Sequence, residues 1–270
     1  MEEQNRHDNQ PKTGGKNKNS VSIGKKARKT YAKIVAAFYG NPARKLQVIA
    51  VSGSNGKSEA VNLINEVLKE AGHKTAMLAA GELEIVNQRQ KNNEGIKPSI
   101  SLYQRFLSAA QKRGAEYVVL EVDHFALKKD YLADIPLWAA VLTNFTSTHP
   151  AYSTPEEYAT VKSKLLDKSP KYTVLNYDDE WFGYFSQYKP IEKTVLFGRN
   201  RNSDIRIDRV KFYKRGTEMQ AFVRDKYPIG VATFFTTEAS PAAMSAAIAI
   251  GDLLNIPPEK VQNGIANLEV

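Results

Sequence analysis

The sequence predicts an α/β protein with a three-layer αβα fold, in which a mostly parallel sheet carries a phosphate-binding loop and a small antiparallel meander spans about residues 193–235. Short apolar runs alternate with amphipathic stretches through most of the chain, which indicates parallel strands covered by helices on both faces. A glycine-rich turn follows the first apolar run. Residues 193–235 instead alternate charged with β-branched or aromatic side chains, which is typical of antiparallel strands with one solvent-facing side.

The elements can be placed in chain order. A helix is expected over residues 27–38, because Gly40 and Pro42 provide a stop signal directly after it. A polar stretch, 87–98, leads to the helix at 100–113. The remaining expected strands are 46–52, 74–80, 117–121, 138–143 and 172–176, and the remaining expected helices are 57–72, 124–132, 155–168, 178–187, 241–254 and 257–268.

Composition restricts the class of protein. The chain has 270 residues, of which 42% are hydrophobic and 25% charged, as in an ordinary soluble globular protein with one large or two small cores. It contains no apolar run long enough to span a membrane, and residues 1–20 lack the apolar core of a signal peptide. There is also no cysteine for disulfides or thiolate metal sites. A cytoplasmic location is therefore expected.

The positive charge is concentrated at the N-terminus. Residues 1–45 hold eleven Lys or Arg against three acidic residues, whereas the whole chain carries only +9. We expect a disordered basic arm over 1–24, because it has too few apolar residues to fold, followed by one domain over 25–270. The arm is interpreted as a solubilising tail, with attraction to anionic lipid or nucleic acid as open alternatives.

The segment from Gly53 to Ser58 has the chemistry of a phosphate-binding loop. Its glycines, Gly53 and Gly56, let backbone N–H groups converge on an anion, and the following helix directs its positive end to the same place. Lys57 would neutralise phosphate, and Ser58 would offer a hydroxyl to Mg²⁺. The strict nucleotidase pattern needs glycine where this chain has Val51, so the interpretation depends on the strand–turn–helix context.

Polar residues also follow two other predicted strands. Glu121 ends the run 117–121, and Thr143-Asn144 with His149 follow the run 138–143. Ligands collect beyond the carboxyl ends of strands in doubly wound sheets, so these side chains are candidates for the same site. Glu121 is expected to ligate a metal, with helix capping or pairing to lysine as the alternative. His149 has a surface position as its alternative.

Several segments, in order, resemble motifs of the central ATP-binding domain of the Mur ligases, and within that family those of the tripeptide synthetases. The resemblance runs from about residue 31 to the end of the chain. The matching segments are Phe38 to Pro42, Gly53 to Ser58, Glu121-Val122, Thr143-Asn144 with His149, Tyr158 to Lys162, and Asn176 to Asp179.

The resemblance implies an ATP-dependent acid–amino acid ligase of peptidoglycan precursor synthesis, which activates a carboxylate as an acyl phosphate. It assigns Lys57, Lys162 and His149 to catalysis. The implied magnesium ligands, for one or two ions, are Ser58, Glu121, His149 and a carbamylated Lys162. The implied nucleotide-binding residues are Gly53, Ser54, Asn55, Gly56, Lys57, Ser58, Asn176 and Asp179.

The chain departs from the family pattern at several positions. Asp123-His124-Phe125 stand where the family has Ser-Ser-His, and Thr148 replaces the aspartate before the loop histidine. Lys97-Pro98 replace Thr-Pro. Ala243 occupies the position of an asparagine that contacts adenine, so recognition of the base is an open question.

The resemblance covers only a central domain, with the basic arm in place of the family's UDP-sugar-binding domain and without its C-terminal domain. We therefore expect either that the chain is a fragment or that a partner supplies the missing half. The expected substrates are a nucleotide-linked muropeptide or similar carboxylate and an amino acid. Nucleic acid is not an expected partner. The alternatives are a folylpolyglutamate-synthetase-like ligase, a catalytically silent nucleotide-binding or scaffold protein, and, from the arm alone, a nucleic-acid-dependent NTPase.

Overall fold

The computed structural model describes residues 18–91, 95 and 97–268. These residues form one eleven-stranded sheet with helices on both faces. The strands are Gln47–Ser52 (β1), Thr75–Leu78 (β2), Glu82–Ile85 (β3), Gln88–Lys91 (β4), Tyr117–Glu121 (β5), Ala139–Leu142 (β6), Tyr172–Asn176 (β7), Lys193–Gly198 (β8), Ile205–Tyr213 (β9), Gly216–Val223 (β10) and Tyr227–Thr233 (β11).

The helices alternate with these strands along most of the chain. A short 3-10 turn, Pro42–Lys45, connects the first helix to β1. The helices are Lys18–Phe38 (α1), Lys57–Glu70 (α2), Ile100–Lys112 (α3), His124–Lys128 (α4), Pro155–Ser163 (α5), Phe182–Phe185 (α6), Ser240–Leu253 (α7) and Pro258–Ala266 (α8).

The sheet order puts β1 in the middle of the parallel region. The order is β11-β10-β9-β8-β7-β6-β1-β5-β2-β3-β4. Strand β1 pairs in parallel with β5 on one side and β6 on the other, with Val51 opposite Glu121 and Ser52 opposite Leu142. The carboxyl ends of β1, β5 and β6 therefore meet at one edge of the sheet, where ligands bind in open α/β sheets.

Each face of the sheet has its own hydrophobic core. Helices α2, α7 and α8 cover one face through residues such as Leu63 and Ile250, and α3, α4 and α5 cover the other through residues such as Leu107 and Ala159. All four side chains are essentially inaccessible to solvent. Because both faces of the parallel strands are buried, these strands are nearly continuous apolar runs. The predicted three-layer fold is confirmed.

Helix α1 packs outside this body. Ala32 and Val35 contact Ile100 of α3 in a small separate cluster. The helix starts at Lys18 rather than at the predicted residue 27, so the part of the predicted disordered arm from 18 to 24 is helical. Residues 1–17 of that arm lie outside the described residues.

Other boundaries differ from the sequence-based predictions. Strand β3 and strand β4 form an antiparallel hairpin over a region where no strand was predicted, and β4 occupies part of the polar stretch 87–98. Strand β8 falls within the range predicted as antiparallel, but it pairs in parallel with β7 and β9. The meander is therefore limited to β9, β10 and β11. Helices α4, α5 and α6 are shorter than predicted.

No helix among the described residues is long and apolar enough to cross a membrane.

Candidate active site

The phosphate-binding loop joins β1 to α2 at the edge where the parallel strands end. Gly56 precedes α2 with a φ of +70°, a conformation that L side chains rarely adopt. A Cβ at Gly56 would lie 2.6 Å from the Ala239 Cβ, and a Cβ at Gly53 would overlap the Thr143 hydroxyl. The close approach of neighbouring elements therefore requires both glycines, and the turn requires glycine at position 56 as well.

Asn144, which follows β6, holds the loop in position. Its Oδ1 accepts hydrogen bonds from the backbone N–H groups of Ser54 (3.0 Å) and Asn55 (2.9 Å), and its Nδ2 donates to the Asn55 carbonyl (3.0 Å). The Thr143 hydroxyl donates to the same carbonyl (3.2 Å). The loop conformation is thus fixed from an adjacent strand.

Ser58 and Glu121 meet beside the loop. The Ser58 hydroxyl donates to Glu121 Oε2 over 2.7 Å, and the backbone N–H of Ala80 donates to the same oxygen over 2.9 Å. The parallel pairing of β1 with β5 is what brings Glu121 to the start of α2. A hydroxyl and a carboxylate at this separation form a cluster of hard oxygen donors.

Lys57 points back over the loop. Its Nζ donates to the Ser54 carbonyl over 3.1 Å and belongs to the lining of the neighbouring cavity. The chain thus holds a cation within reach of an anion bound at the loop.

Lys162 on α5 is the second cation at the site and is only 1% exposed. Its Nζ donates to the Gly53 carbonyl (2.7 Å) and to the Ser52 hydroxyl (3.1 Å), and it lies 5.3 Å from the centroid of the Tyr158 ring. Burial, together with the charge of Lys57, lowers the pKa of Lys162 to about 7. A substantial fraction of this amine is therefore neutral near pH 7.

His149 belongs to an aromatic cluster at the mouth of the site. Its ring lies 4.3 Å from the His124 ring and 4.8 Å from the Tyr158 ring. Burial and the nearby charges of Lys162 and Lys57 lower the pKa of His149, so the imidazole favours its neutral form.

The tautomer of His149 follows from one hydrogen bond. Nδ1 accepts from the backbone N–H of Ala151 over 3.2 Å, so in the neutral ring Nε2 carries the proton. Metal ligation through Nε2 would require this proton to leave Nε2 and the ring to ligate as the Nδ1-protonated form, at the cost of the Ala151 hydrogen bond.

These groups enclose a cavity of about 250 Å³ next to the loop. Among the lining residues, the sequence-based assignment included Ser54, Asn55, Lys57, His149 and Lys162. It gave no role to Tyr158 or to His124, whose Nδ1 is 2.8 Å from the Tyr152 hydroxyl. The lining residues are Ser54, Asn55, Lys57, Asp123, His124, Thr146, Thr148, His149, Tyr158 and Lys162.

Two other predicted nucleotide-binding residues have structural partners. Asp179 accepts from the backbone N–H of Phe145 (2.6 Å) and of Trp181 (2.9 Å), and burial raises its pKa. Asn176, at the end of β7, contacts the Thr143 carbonyl (3.4 Å). Both residues support the loops around the site, and their contact with a nucleotide stays a prediction.

The position at which the family resemblance implies an adenine-contacting asparagine is Ala243 in this chain. Ala243 is completely buried in α7, so it offers no polar group to a ligand. A separate cavity of about 260 Å³ lies beside it between β9 and the start of α7, with Asn176, Pro241 and Ala242 among its lining residues.

The donor set fits magnesium at Ser58 and Glu121. Mg²⁺ prefers oxygen ligands and uses few protein side chains when phosphates supply the rest, which matches one hydroxyl and one carboxylate beside an anion-binding loop. The Lys162 side chain fits a metal only in altered form, because an ammonium repels a cation. Its lowered pKa favours the neutral amine that carbamylation by CO₂ requires.

The fold and the site together define a phosphate-binding-loop α/β domain. Residues 51–250 match the family model of the Mur ligase middle domain, which is most of the chain. The chain therefore belongs to the Mur ligase middle-domain family, and the resemblance drawn from its motifs is confirmed.

Relatives by sequence are full-length Mur ligases. UDP-N-acetylmuramyl-tripeptide synthetase 2 of Oceanobacillus iheyensis is 28% identical over 211 residues, covering 76% of this chain and 43% of the relative. The 2,6-diaminopimelate-adding ligase of Syntrophomonas wolfei is 27% identical over 250 residues, covering 90% and 50%. The chain thus spans about half the length of the curated relatives it matches.

Solved structures share the fold. A UDP-N-acetylmuramoyl-L-alanyl-D-glutamate–2,6-diaminopimelate ligase superposes with a TM-score of 0.74 at 20% identity, over 83% of this chain and 46% of that one. A Mycobacterium tuberculosis folylpolyglutamate synthase complexed with ADP also gives 0.74, at 11% identity, over 93% and 65%.

Proposed function

We propose that this chain is the nucleotide-binding domain of an ATP-dependent, amide-forming ligase of the Mur type, acting in peptidoglycan precursor synthesis. The substrate carboxylate would attack the γ-phosphorus of ATP and form an acyl phosphate, with ADP leaving. The amino group of the incoming amino acid would then attack the acyl carbon and expel inorganic phosphate. A nucleotide-linked muropeptide is the carboxylate substrate named by the curated relatives.

The contact between Ser58 and Glu121 carries this proposal. Two oxygen donors 2.7 Å apart, at the ends of adjacent structural elements beside a glycine loop, suit a magnesium ion shared with a triphosphate. Bound magnesium would lower the charge repulsion between the attacking carboxylate and the phosphates. Since the Ser54 and Asn55 N–H groups already donate to Asn144, the N–H groups from Gly56 to Ser58 together with Lys57 would bind the β- and γ-phosphates and stabilise charge on the transferred group.

Lys162 and His149 would act on the substrate side of the loop. A carbamylated Lys162 would present a carboxylate-like group in the cavity and would complete a second cation site, for which His149 is the other proposed ligand. In the tautomer with the proton on Nε2, His149 would not ligate a metal through Nε2. The Nε2–H group would instead donate a hydrogen bond to a phosphate oxygen. Asp123 and His124, which replace the family residues here, line the same cavity.

Isothermal titration calorimetry with ATP and Mg²⁺ tests the proposal. We expect the wild-type chain to bind, Lys57→Ala to lose most of the affinity, and Glu121→Gln to lose the magnesium dependence while retaining residual ATP binding. Glu116→Gln is the matched control, because this glutamate is more than half exposed, pairs with His73 and lies at the opposite end of β5. Absence of ATP binding by the wild-type chain would contradict the proposal and favour a nucleotide-free scaffold protein.

A further inference from the structure

Helix α1 exposes a line of large apolar side chains. Tyr31, Ile34 and Phe38 are 51%, 63% and 84% exposed, and their spacing of three and four residues places them on one side of the helix. A different side holds the helix to the protein through Ala32 and Val35, which are buried. We call the three exposed residues the apolar stripe. Tyr31 also touches α3 through its hydroxyl, which lies 3.4 Å from the Ser101 hydroxyl. Ile34 and Phe38 are the most exposed members of the stripe, and the buried side of α1 already anchors the helix.

The same helix is strongly basic. None of its 21 residues is acidic, and among the described ion pairs none includes a residue of α1. Lys26, Lys29 and Lys33 are exposed. Asp130 and Asp134 lie near the Lys29 end of this surface, because both act electrostatically on Lys168 together with Lys29. The helix itself nevertheless presents only positive charge next to the apolar stripe. Among the α1 residues whose side chains the structure describes, the cations are Lys26, Arg28, Lys29 and Lys33.

Helix α4 lies beside α1. Arg28 donates to the Lys129 carbonyl over 3.2 Å, which holds the turn after α4 against α1. Beside it, Phe125 is 43% exposed and the Lys129 ammonium lies 5.7 Å from the centroid of its ring. The combination of an exposed aromatic ring and a lysine is thus repeated on the neighbouring element.

We propose that α1 docks the protein onto an anionic phospholipid surface. The apolar stripe would enter the boundary between headgroups and acyl chains, and the lysines would lie among the anionic headgroups, as in other helices that lie in the plane of a membrane surface. Attraction to such a surface is about fivefold in affinity per cation. A nucleic acid would also be attracted by the positive charge, but it would not bury the three exposed apolar side chains. The apolar stripe therefore favours lipid as the ligand.

Vesicle co-sedimentation of the full chain tests this inference. We expect binding to vesicles of phosphatidylcholine mixed with phosphatidylglycerol, little binding to phosphatidylcholine alone, and weakening as salt concentration rises. Ile34→Ser combined with Phe38→Ser should reduce binding at least about tenfold, because two apolar side chains lose their burial in the lipid. The control is Ile191→Ser combined with Phe212→Ser, which removes side chains that are 72% and 53% exposed elsewhere.

The same variants separate the other occupants. Equal loss in both double variants, or no loss in either, would overturn the proposal. Binding of random-sequence RNA without vesicle binding would assign the surface to nucleic acid. A dimer that only Ile34→Ser/Phe38→Ser dissociates, without vesicle binding, would assign the stripe to a contact between copies. Helix α1 supplies no residue of the nucleotide site, so ATP binding by these variants should equal that of the wild type whatever the lipid result.

Discussion

At the scale of single residues, the Lys162 amine has an unusual environment for a lysine. It is almost fully buried, it donates to the Gly53 carbonyl and the Ser52 hydroxyl, and Lys57 lies close enough to disfavour its charge. An ordinary lysine is almost entirely protonated at pH 7, whereas a pKa of about 7 leaves about half of this amine neutral. The neutral amine of Lys162 can therefore act as a nucleophile near pH 7.

Carbamylation of Lys162 can be detected directly. With ¹³C-bicarbonate at pH 8, we expect a carbamate resonance in the ¹³C spectrum that weakens as the pH falls below about 7, because protonation removes the nucleophilic lone pair. Lys162→Arg should abolish the signal. Lys168→Arg is the control, since this lysine is half-buried and also has a lowered pKa but donates to the Leu132 carbonyl, away from the loop. A signal that only Lys168→Arg removes would contradict the assignment.

The buried amine also predicts how stability depends on pH. The pKa of Lys162 is about 7 in the folded chain and 10.5 in an ordinary lysine, so between these values the unfolded chain binds more protons. Stability of the wild type relative to Lys162→Met should therefore rise from about pH 7 towards pH 10. Urea unfolding of both proteins in carbonate-free buffer measures the difference. A difference that is flat or falls with pH would show that the amine remains charged.

Asn144 provides a second test at this scale. Asn144→Ala removes three hydrogen bonds to the backbone of Ser54 and Asn55, so we expect about 1–3 kcal/mol of lost stability. ATP affinity should fall as well, because the loop N–H groups are no longer pre-oriented. Urea unfolding and calorimetry measure the two effects. The control is Asn200→Ala, in an exposed turn, which should change neither the stability nor the ATP affinity. Unchanged ATP affinity in Asn144→Ala would show that ATP binding does not depend on the hydrogen bonds that Asn144 makes to the loop.

At the scale of elements, α2 and α8 approach each other closely because of one glycine. A Cβ at Gly264 would lie 2.6 Å from the Cα and 2.8 Å from the backbone nitrogen of Val67. Backbone atoms in the middle of α2 have no freedom to move aside, since Leu63 and Leu68 on the same helix are fully buried. The helix that follows the phosphate-binding loop is thus packed directly against the last helix of the domain.

Gly264→Ala should therefore destabilise the protein by about 1–3 kcal/mol, the usual cost of overpacking. Gly183→Ala is the matched control, because a Cβ there meets nothing within 4 Å and its helix α6 is solvent-facing at that position. Alanine at 183 should be neutral or stabilising by about 0.5–1 kcal/mol. Thermal and urea unfolding of both variants measure the effect. If Gly264→Ala were as stable as the wild type, α2 and α8 would be able to move apart without loss of stability.

The elements were predictable where the hydrophobic pattern was strong. Strands β1, β5, β6 and β7 are apolar runs between helices and appear where predicted. Strand β4 has the sequence Gln-Arg-Gln-Lys, which no strand propensity favours; it forms because β3 provides a partner at the sheet edge. Whether β8 pairs in parallel depends on the path between strands, which local sequence does not encode.

The site was partly predictable for a related reason. Position at the end of a strand identified Glu121, and the structure places it next to Ser58. Position after a strand also identified Asn144 as a candidate site residue. It did not predict that Asn144 holds the backbone of Ser54 and Asn55, because the hydrogen-bond partners of a side-chain amide depend on tertiary contacts. Asp179 looked like a ligand-binding acid, yet its two oxygens accept hydrogen bonds from backbone N–H groups.

At the scale of the whole molecule, one sheet separates two hydrophobic cores. Each core contacts a different tryptophan: Trp138 packs against the core under α2, α7 and α8, and Trp181 packs against the core under α3, α4 and α5. The strands themselves contribute side chains to both cores, so neither core can lose its packing without disturbing the same sheet. We infer that the described part of the chain unfolds as a unit.

Single-tryptophan variants measure this cooperativity. Trp181→Phe leaves Trp138 as the reporter for one core, and Trp138→Phe leaves Trp181 for the other. In urea, the fluorescence transition of each variant should coincide with its own far-UV circular dichroism transition, as two-state unfolding requires. A fluorescence midpoint that precedes the dichroism midpoint in one variant only would show that the two faces unfold separately.

The close approach of Gly56 to Ala239 links the first turn of α2 with the beginning of α7. The hydroxyls of Thr237 and Ser240 also donate to Glu59, in the first turn of α2, over 2.7 and 3.0 Å. A displacement of the segment before α7 must therefore shift the phosphate-binding loop. A molecule that binds this segment with different affinity in the triphosphate-bound and triphosphate-free states would alter the affinity for triphosphate. By thermodynamic reciprocity, triphosphate would alter the affinity for that molecule by the same factor.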